Sequence, residues 1–265
     1  ESLSEKYNWT PEIFREAVSF DGERNFQTFV ELEGGGLDNF KLLYIEDIYH
    51  PYKWRVRHFQ EKNPNELTIW FTPAGKPYSF SQKLSEEALG ASLQRDSAFA
   101  VAMASLEEEW TFDISPYELI DESKKIQPSG RVDHSFTFQR SRFTIGENGF
   151  IRLKLTVQGD KLGELLHFPH VPEAFNRRFS EMRSSNDTIA FSATISVYLL
   201  YGLLGIVVSI FFLMRERRVL WEKALVWGII VGLFQVFVQF NFFPMMWMEY
   251  NTAVSESSFM MELLV

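Results

Sequence analysis

The sequence predicts an α+β protein: a duplicated unit of one helix and a three-stranded antiparallel meander, followed by a transmembrane α-helical hairpin. Three observations carry this. Leu67, Ile69 and Phe71 alternate with Thr68, Trp70 and Thr72, and Ile151, Leu153, Leu155 and Val157 alternate with Arg152, Lys154, Thr156 and Gln158; this is the period of strands with one buried face. Thr72 and Gly75 recur as Thr156 and Gly159 at a single offset of 84 residues, which reads as a repeat. Two uncharged stretches, 27 residues between Asp187 and Arg215 and 25 residues at 224–248, exceed the ~20 residues a helix needs to cross a bilayer.

Within the first unit, taken as about residues 10–84, Thr10 reads as an N-cap with Pro11 at the first helical position, and Ile13, Phe14, Ala17 and Phe20 repeat at helical spacing. The Gly34-Gly35-Gly36 run is expected to end a second helical stretch and start a loop. Residues 54–59 read as a strand, and Pro73-Ala74-Gly75-Lys76 turns the chain into a returning strand with Tyr78 and Phe80 on one side. In the second unit, about residues 85–171, Phe99, Met103, Leu106 and Trp110 mark one helix face. Ser115-Pro116-Tyr117-Glu118 fits either a capping box or a simple turn. Strands follow at 134–138, 151–157 and 164–168, with a turn at Gly159-Asp160.

Pro172 opens an amphipathic connecting helix over 172–188, with Phe175, Phe179 and Met182 on one face and Arg177, Arg178 and Glu181 on the other. It is expected to run into a first span at 189–214. The 15 Leu, Ile, Phe and Val residues there contribute roughly −0.3 to −0.6 kcal/mol each, which outweighs Ser192, Thr194, Ser196 and Ser209. A loop at 215–223 carries Arg215, Arg217, Arg218 and Lys223, whereas the 18 residues after Trp247 carry no Lys or Arg. That asymmetry places the loop in the cytoplasm and residues 1–188 outside it, with Arg177, Arg178 and Arg183 pulling the other way. The second span at 224–248 holds Gln235, Gln239 and Asn241, read as hydrogen-bonding groups toward other spans, and Pro244, which kinks or ends it. Trp221, Trp247 and Tyr250 fall where an interfacial aromatic belt would form. Residues 249–265 read as the start of a further membrane segment, so the sequence looks cut at both ends.

The 265 residues carry a net charge of −9, and −8 of it lies in residues 1–188. An acidic surface argues against nucleic acid as a partner, and the absence of Cys removes thiolate chemistry, Cys-ligated zinc and disulfides. Some residues invite a chemical reading. His167-Phe168-Pro169-His170 places two imidazoles three apart, read as a surface pair rather than a metal site. Asp133-His134 would need a Ser nucleophile, and no G-x-S-x-G occurs. Glu107, Glu108 and Glu109 read as a solvated face, and Asn8-Trp9-Thr10 and Asn186-Asp187-Thr188 fit the glycosylation sequon. No H-E-x-x-H, P-loop or G-x-G-x-x-G is present.

The order of motifs resembles one family. Gly130-Arg131-Val132-Asp133-His134, then Gly159-Asp160, then Pro172 through Asn186, together with Asn241, Pro244, Tyr250 and Thr252, resemble the extracytoplasmic region and first spans of large bacterial CPBP proteins, the CAAX-type and bacteriocin-processing intramembrane metalloproteases. The likeness covers most of the chain, strongest over 130–259. It implies a membrane-embedded peptidase in a bacterial inner or plasma membrane, a divalent metal such as zinc in the whole protein, a protein or peptide substrate, and further transmembrane helices packed beside these two. The family's Glu-Glu-x-x-x-Arg run is absent: Ala91 stands where Arg is required after Glu86-Glu87, and Asp113 after Glu108-Glu109. The resemblance therefore assigns no catalytic or metal residue here, and no cofactor to this stretch. The competing expectation is a membrane-anchored sensing or peptide-binding module without chemistry.

Overall fold

The computed structural model describes residues 14–141, 143–218 and 220–263. They form two compact units, one containing the chain up to Pro172 together with Pro244–Val265, the other Glu173–Phe243.

The first unit is built on one eight-stranded antiparallel sheet of order β1-β2-β3-β4-β8-β7-β6-β5. Its strands are β1 Arg15–Gly22, β2 Tyr52–Phe59, β3 Glu66–Phe71, β4 Pro77–Lys83, β5 Tyr117–Ile126, β6 Val132–Arg140, β7 Phe150–Gln158 and β8 Lys161–His170. Helices α1 (Arg24–Leu32) and α2 (Gly36–Ile45) lie between β1 and β2, and α3 (Arg95–Glu108) precedes β5. The period-two pattern has the outcome it implies: Leu153, Leu155 and Val157 are fully buried while Arg152 and Lys154 face outward. Leu67, Ile69, Phe80, Phe136, Phe138 and Leu165 join them beneath α3. Each fully buried large apolar side chain contributes about 1.5–3 kcal/mol. Helix α3 meets this layer through Ala98, Ala102 and Leu106, with Phe99 and Met103 only partly covered at its flanks.

Three expectations are corrected. The stretch with Phe14, Ala17 and Phe20 is not a helix: residues 15–22 pair with β2 from Arg15 opposite Phe59 to Gly22 opposite Tyr52. Ala17 and Ser19 are buried while Val18 and Phe20 are exposed, so period-two burial and sheet pairing override the helical spacing. Thr10, Pro11 and Ile13 lie outside the described residues. The three glycines end α1, but Gly36 opens α2 rather than a loop. Gly35 and Gly36 adopt φ of 92° and 76°, and Asn39 Nδ2 donates to Gly34 O at 2.8 Å, which makes the run a tight corner between helices. Finally, the strands do not form separate three-stranded meanders: each half supplies four strands to one sheet. The strand missing from the expectation is β5, whose Asp121, Glu122, Lys124 and Lys125 are exposed on the sheet's edge. Charge on an edge strand discourages pairing with another chain. Ser115 and Pro116 form the turn that enters it.

The halves meet where β4 pairs with β8, through only two register positions, Phe80 opposite Leu165 and Ser81 opposite Glu164. Beyond Phe80 the ladder opens. On the outer side of β2, residues 244–262 return to this unit as the end of helix α6 (Trp221–Met246), a 3₁₀ turn (Trp247–Glu249) and α7 (Glu256–Glu262). Met248 and Tyr250 are buried with Ala17 and Phe59. Arg57 donates to Trp247 O and Met248 O at 3.2 and 3.0 Å, and Lys62 N donates to Thr252 O at 2.8 Å.

The second unit is helical. α4 (Glu173–Val197), a π-helical segment (Tyr198–Val207) and α5 (Val208–Arg215) run without interruption, and with α6 they supply two helices long and apolar enough to cross a membrane, Glu173–Arg215 and Trp221–Glu249, each with an 18-residue stretch of mean hydropathy 2.4 and 1.8 respectively. The first spans roughly 65 Å at 1.5 Å per residue, about twice a bilayer's hydrocarbon thickness. Its polar first turns carry the i,i+4 pairs Glu173–Arg177 and Asp187–Arg183. Ser192, Thr194 and Ser196 donate to the carbonyls of Thr188, Ala190 and Ser192, each at 2.8 Å, so these hydroxyls are satisfied within their own helix.

Candidate functional site

The residues carrying the family resemblance divide into separate structural roles. Gly130, Arg131, Asp133, His134 and Gly159 converge at the start of β6. Arg131, only 2% exposed, donates from Nε and Nη2 to the two oxygens of Asp133 at 2.9 and 3.2 Å, and from Nη1 to Ser85 O and Ala88 O. Gln127 Nε2 also donates to Asp133, at 2.6 Å, and His134 Nε2 donates to Leu93 O at 3.0 Å. Gly130 (φ 85°) makes the turn from β5, and Gly159 (φ 68°) donates from N to Val132 O at 3.1 Å. A Cβ on Gly90 would stand 2.6 Å from Arg131 Cδ. Together these contacts latch residues 85–93, the crossing from the first half to the second, onto β6. Asp133 and His134 are thus each engaged elsewhere and form no catalytic pair. Asp160 is exposed beside the latch.

The remaining matches lie apart. Asn186 and Asn241 are exposed on α4 and α6, Pro172 precedes α4, and Pro244 sits two residues before the end of α6. Tyr250 and Thr252 are buried in the segment packed on β2, where the Tyr250 hydroxyl donates to Val254 O. The structure therefore places Trp247 and Tyr250 against Phe59 in the sheet unit. His167 and His170 do not form a pair, because residues three apart on a strand point to opposite faces: His167 is 3% exposed, and His170 stacks on Phe150 at the strand's end. Among the described residues no three His, Asp or Glu side chains converge to hold a metal.

His167 is the residue sequence reasoning missed, although its alternation with buried Leu165 places it on the core face. It lines a cleft of ≈ 360 Å³ in the sheet unit, walled by the end of α2, the β3–β4 hairpin and the connection from α3 to β5. The opening of the β4–β8 ladder creates the space. Past Phe80, the Ser79 hydroxyl oxygen replaces a backbone carbonyl and accepts the His167 amide at 3.2 Å. The same Oγ lies 3.1 Å from His167 Nδ1, a contact either tautomer of the ring can make, since a hydroxyl both donates and accepts. Tyr78 stacks on the imidazole at 4.4 Å, and Phe112 meets its edge at 5.1 Å.

The electrostatics follow from burial. Removal from water lowers the His167 pKa to about 3, with Lys53 adding to the effect, so the ring is neutral. Burial raises the phenol pKa of Tyr78 and Tyr117, with Arg140 opposing the shift at Tyr117. Asp113 is lowered by the amide and hydroxyl of Ser115, both 2.9 Å away. Trp110 Nε1, a buried donor, and His167 Nε2, a buried ring nitrogen, have no hydrogen-bond partner among the described residues; both residues line the cleft, and Arg140 lies over the Tyr117 ring with no carboxylate in ion-pair reach among the described residues. Two lining residues, Asp47 and Thr111, hold φ of 52° and 49°. For a β-branched Thr that is a strained backbone. The arrangement offers a buried donor, a cation and aromatic walls to a bound group.

Comparison of the chain with protein-family models, with curated proteins and with solved structures finds no match.

Proposed function

We propose that the chain is a membrane-tethered extracytoplasmic binding domain, in which the sheet unit receives a ligand and residues 173–243 hold it at a bilayer by crossing twice. One observation carries the reading. The chain leaves the sheet unit after Pro172 and rejoins it at Pro244, and both intervening helices are long enough to span. A segment that departs from and returns to one folded unit crosses a membrane an even number of times. The four cations at 215–223 assign that loop to the cytoplasm. In this reading the halves of the sheet are copies of one ancestral unit, since an offset of 84 superposes β3 on β7 and β4 on β8.

The CPBP resemblance supports a more specific assignment, to the presenting, gating or sensing part of an intramembrane metallopeptidase acting on a protein or peptide. Its zinc and its catalytic helices would then belong to other parts of the protein. The cleft, with the unpartnered Trp110 donor and Arg140 in its lining, supports binding as this domain's own task.

The Cys-free chain makes topology directly testable. Lys124→Cys on exposed β5 and Arg218→Cys in the loop each give a unique thiol. A membrane-impermeant maleimide applied to intact spheroplasts is expected to label K124C, and R218C only after lysis. Labelling of both positions before lysis would remove the double crossing, and the reverse pattern would invert the orientation.

A further inference from the structure

We propose that the cleft at the β4–β8 junction binds a monoanionic carboxylate carrying a flat or apolar body, held by Arg140 and Trp110. This deepens the binding-domain reading and rests on it.

The argument starts from unmet hydrogen-bonding capacity. A buried N–H without an acceptor costs about 1–3 kcal/mol, and the Trp110 indole, which lines this cleft, carries one among the described residues. It gains nothing from a donor ligand, because an indole N–H can only donate. The missing group is therefore an acceptor. Arg140 and Lys76 place two positive charges in the lining of the same cavity; Arg140 has no carboxylate partner of its own among the described residues, and a guanidinium matches a carboxylate's two oxygens.

The acceptor's charge and the size of its body follow from the remaining walls. Glu46, Asp47 and Asp113 also line the cavity, three acidic groups against its two cations, with Asp47 and Asp113 engaged by His50 and Ser115 respectively; this excess of negative charge disfavours a dianion such as a phosphate monoester. Tyr78, Phe112 and Tyr117 supply faces for a ring or aliphatic chain. At ≈ 360 Å³ the space lies at the small end of ligand pockets, enough for one residue's side chain and its carboxylate. A free organic acid and the C-terminal residue of a peptide share this chemistry.

The experiment uses the full chain in nanodiscs and calorimetric titration with four probes: N-acetyl-phenylalanine, its carboxamide, a hexapeptide ending in phenylalanine, and that peptide amidated. Saturable binding of an acid with no binding of the matching amide is expected. Arg140→Gln should weaken it by about tenfold or more, and Trp110→Phe, which keeps the ring on Phe80 and deletes only the donor, by a smaller factor. Unchanged thermal midpoints would show that both variants remain folded. Binding of the peptide acid alone would identify chain ends as the source, and binding of the free acid alone would identify a small molecule. Equal binding of acid and amide, wild-type affinity in R140Q, or no binding of any probe would overturn the proposal. The last result beside the expected maleimide pattern would leave the tethered topology standing without this ligand.

Discussion

Arg131 and Asp133 show how residue chemistry and residue role can separate. Their side chains are 2% and 8% exposed, and a buried charge is tolerable only while its partner is present. Arg131→Ala removes three hydrogen-bonded groups at once and leaves the Asp133 carboxylate with Gln127 alone. The expected cost is about 3–5 kcal/mol, read as a lower urea midpoint by tryptophan fluorescence; an unchanged midpoint would deny the latch. Arg131→Lys should recover part of the loss, since it restores charge without the two-pronged geometry.

His167 makes a second prediction, in pH. Its folded pKa of about 3 lies below its ordinary value of 6.5, so between these values the unfolded chain binds a proton that the folded chain refuses. Stability is therefore fully present above pH 6.5 and declines as pH falls from there toward 3. Thermal midpoints of His167→Gln should fall less steeply over that window than those of the wild type, and parallel curves would refute the assignment. The motif residues of the latch were legible in the sequence as a group, whereas their role was not. Nothing local in Gly130-Arg131-Val132-Asp133 tells that residues 85–93 will lie across them. The cleft was invisible for the same reason, since Tyr78, Trp110, Arg140 and His167 come from four separate segments.

Elements with one buried face and sharp turns were readable in advance: β3, β4, β6, β7, β8 and α3 each follow their apolar period. Those decided by position in the sheet were not. β1 and β5 are edge strands; one carries a mixed pattern that also satisfies a helix, and the other carries charge that mimics a loop. Helix α3 was located by Phe99, Met103 and Leu106, yet the residues it presses on the sheet are Ala98 and Ala102, both 0% exposed. Small residues there set a close approach of helix to strands. Ala102→Leu should overpack that contact at a cost of about 1–3 kcal/mol, seen as a lower thermal midpoint, whereas Ala104→Leu on the exposed side of the same helix should change little. Equal effects at the two positions would mean that α3 is not seated by its alanines.

For the molecule as a whole, the apolar helices were plain from composition, because 27 uncharged residues leave few alternatives. The destination of the chain after them was not. Tyr250 and Trp247 have the amphipathic rings of an interfacial belt, and only the sheet unit, through Phe59 and Arg57, shows that they close a protein core. That long-range closure has a consequence for biosynthesis. Arg57 emerges from the ribosome 190 residues before Trp247, an interval of about 10–40 s at ordinary elongation rates. Throughout it the seat beside Phe59 stands uncovered, and both long apolar helices are made before the last piece arrives. The sheet unit is thus finished last, and a chain that stops short of Trp247 keeps an open apolar patch that quality-control proteases can read.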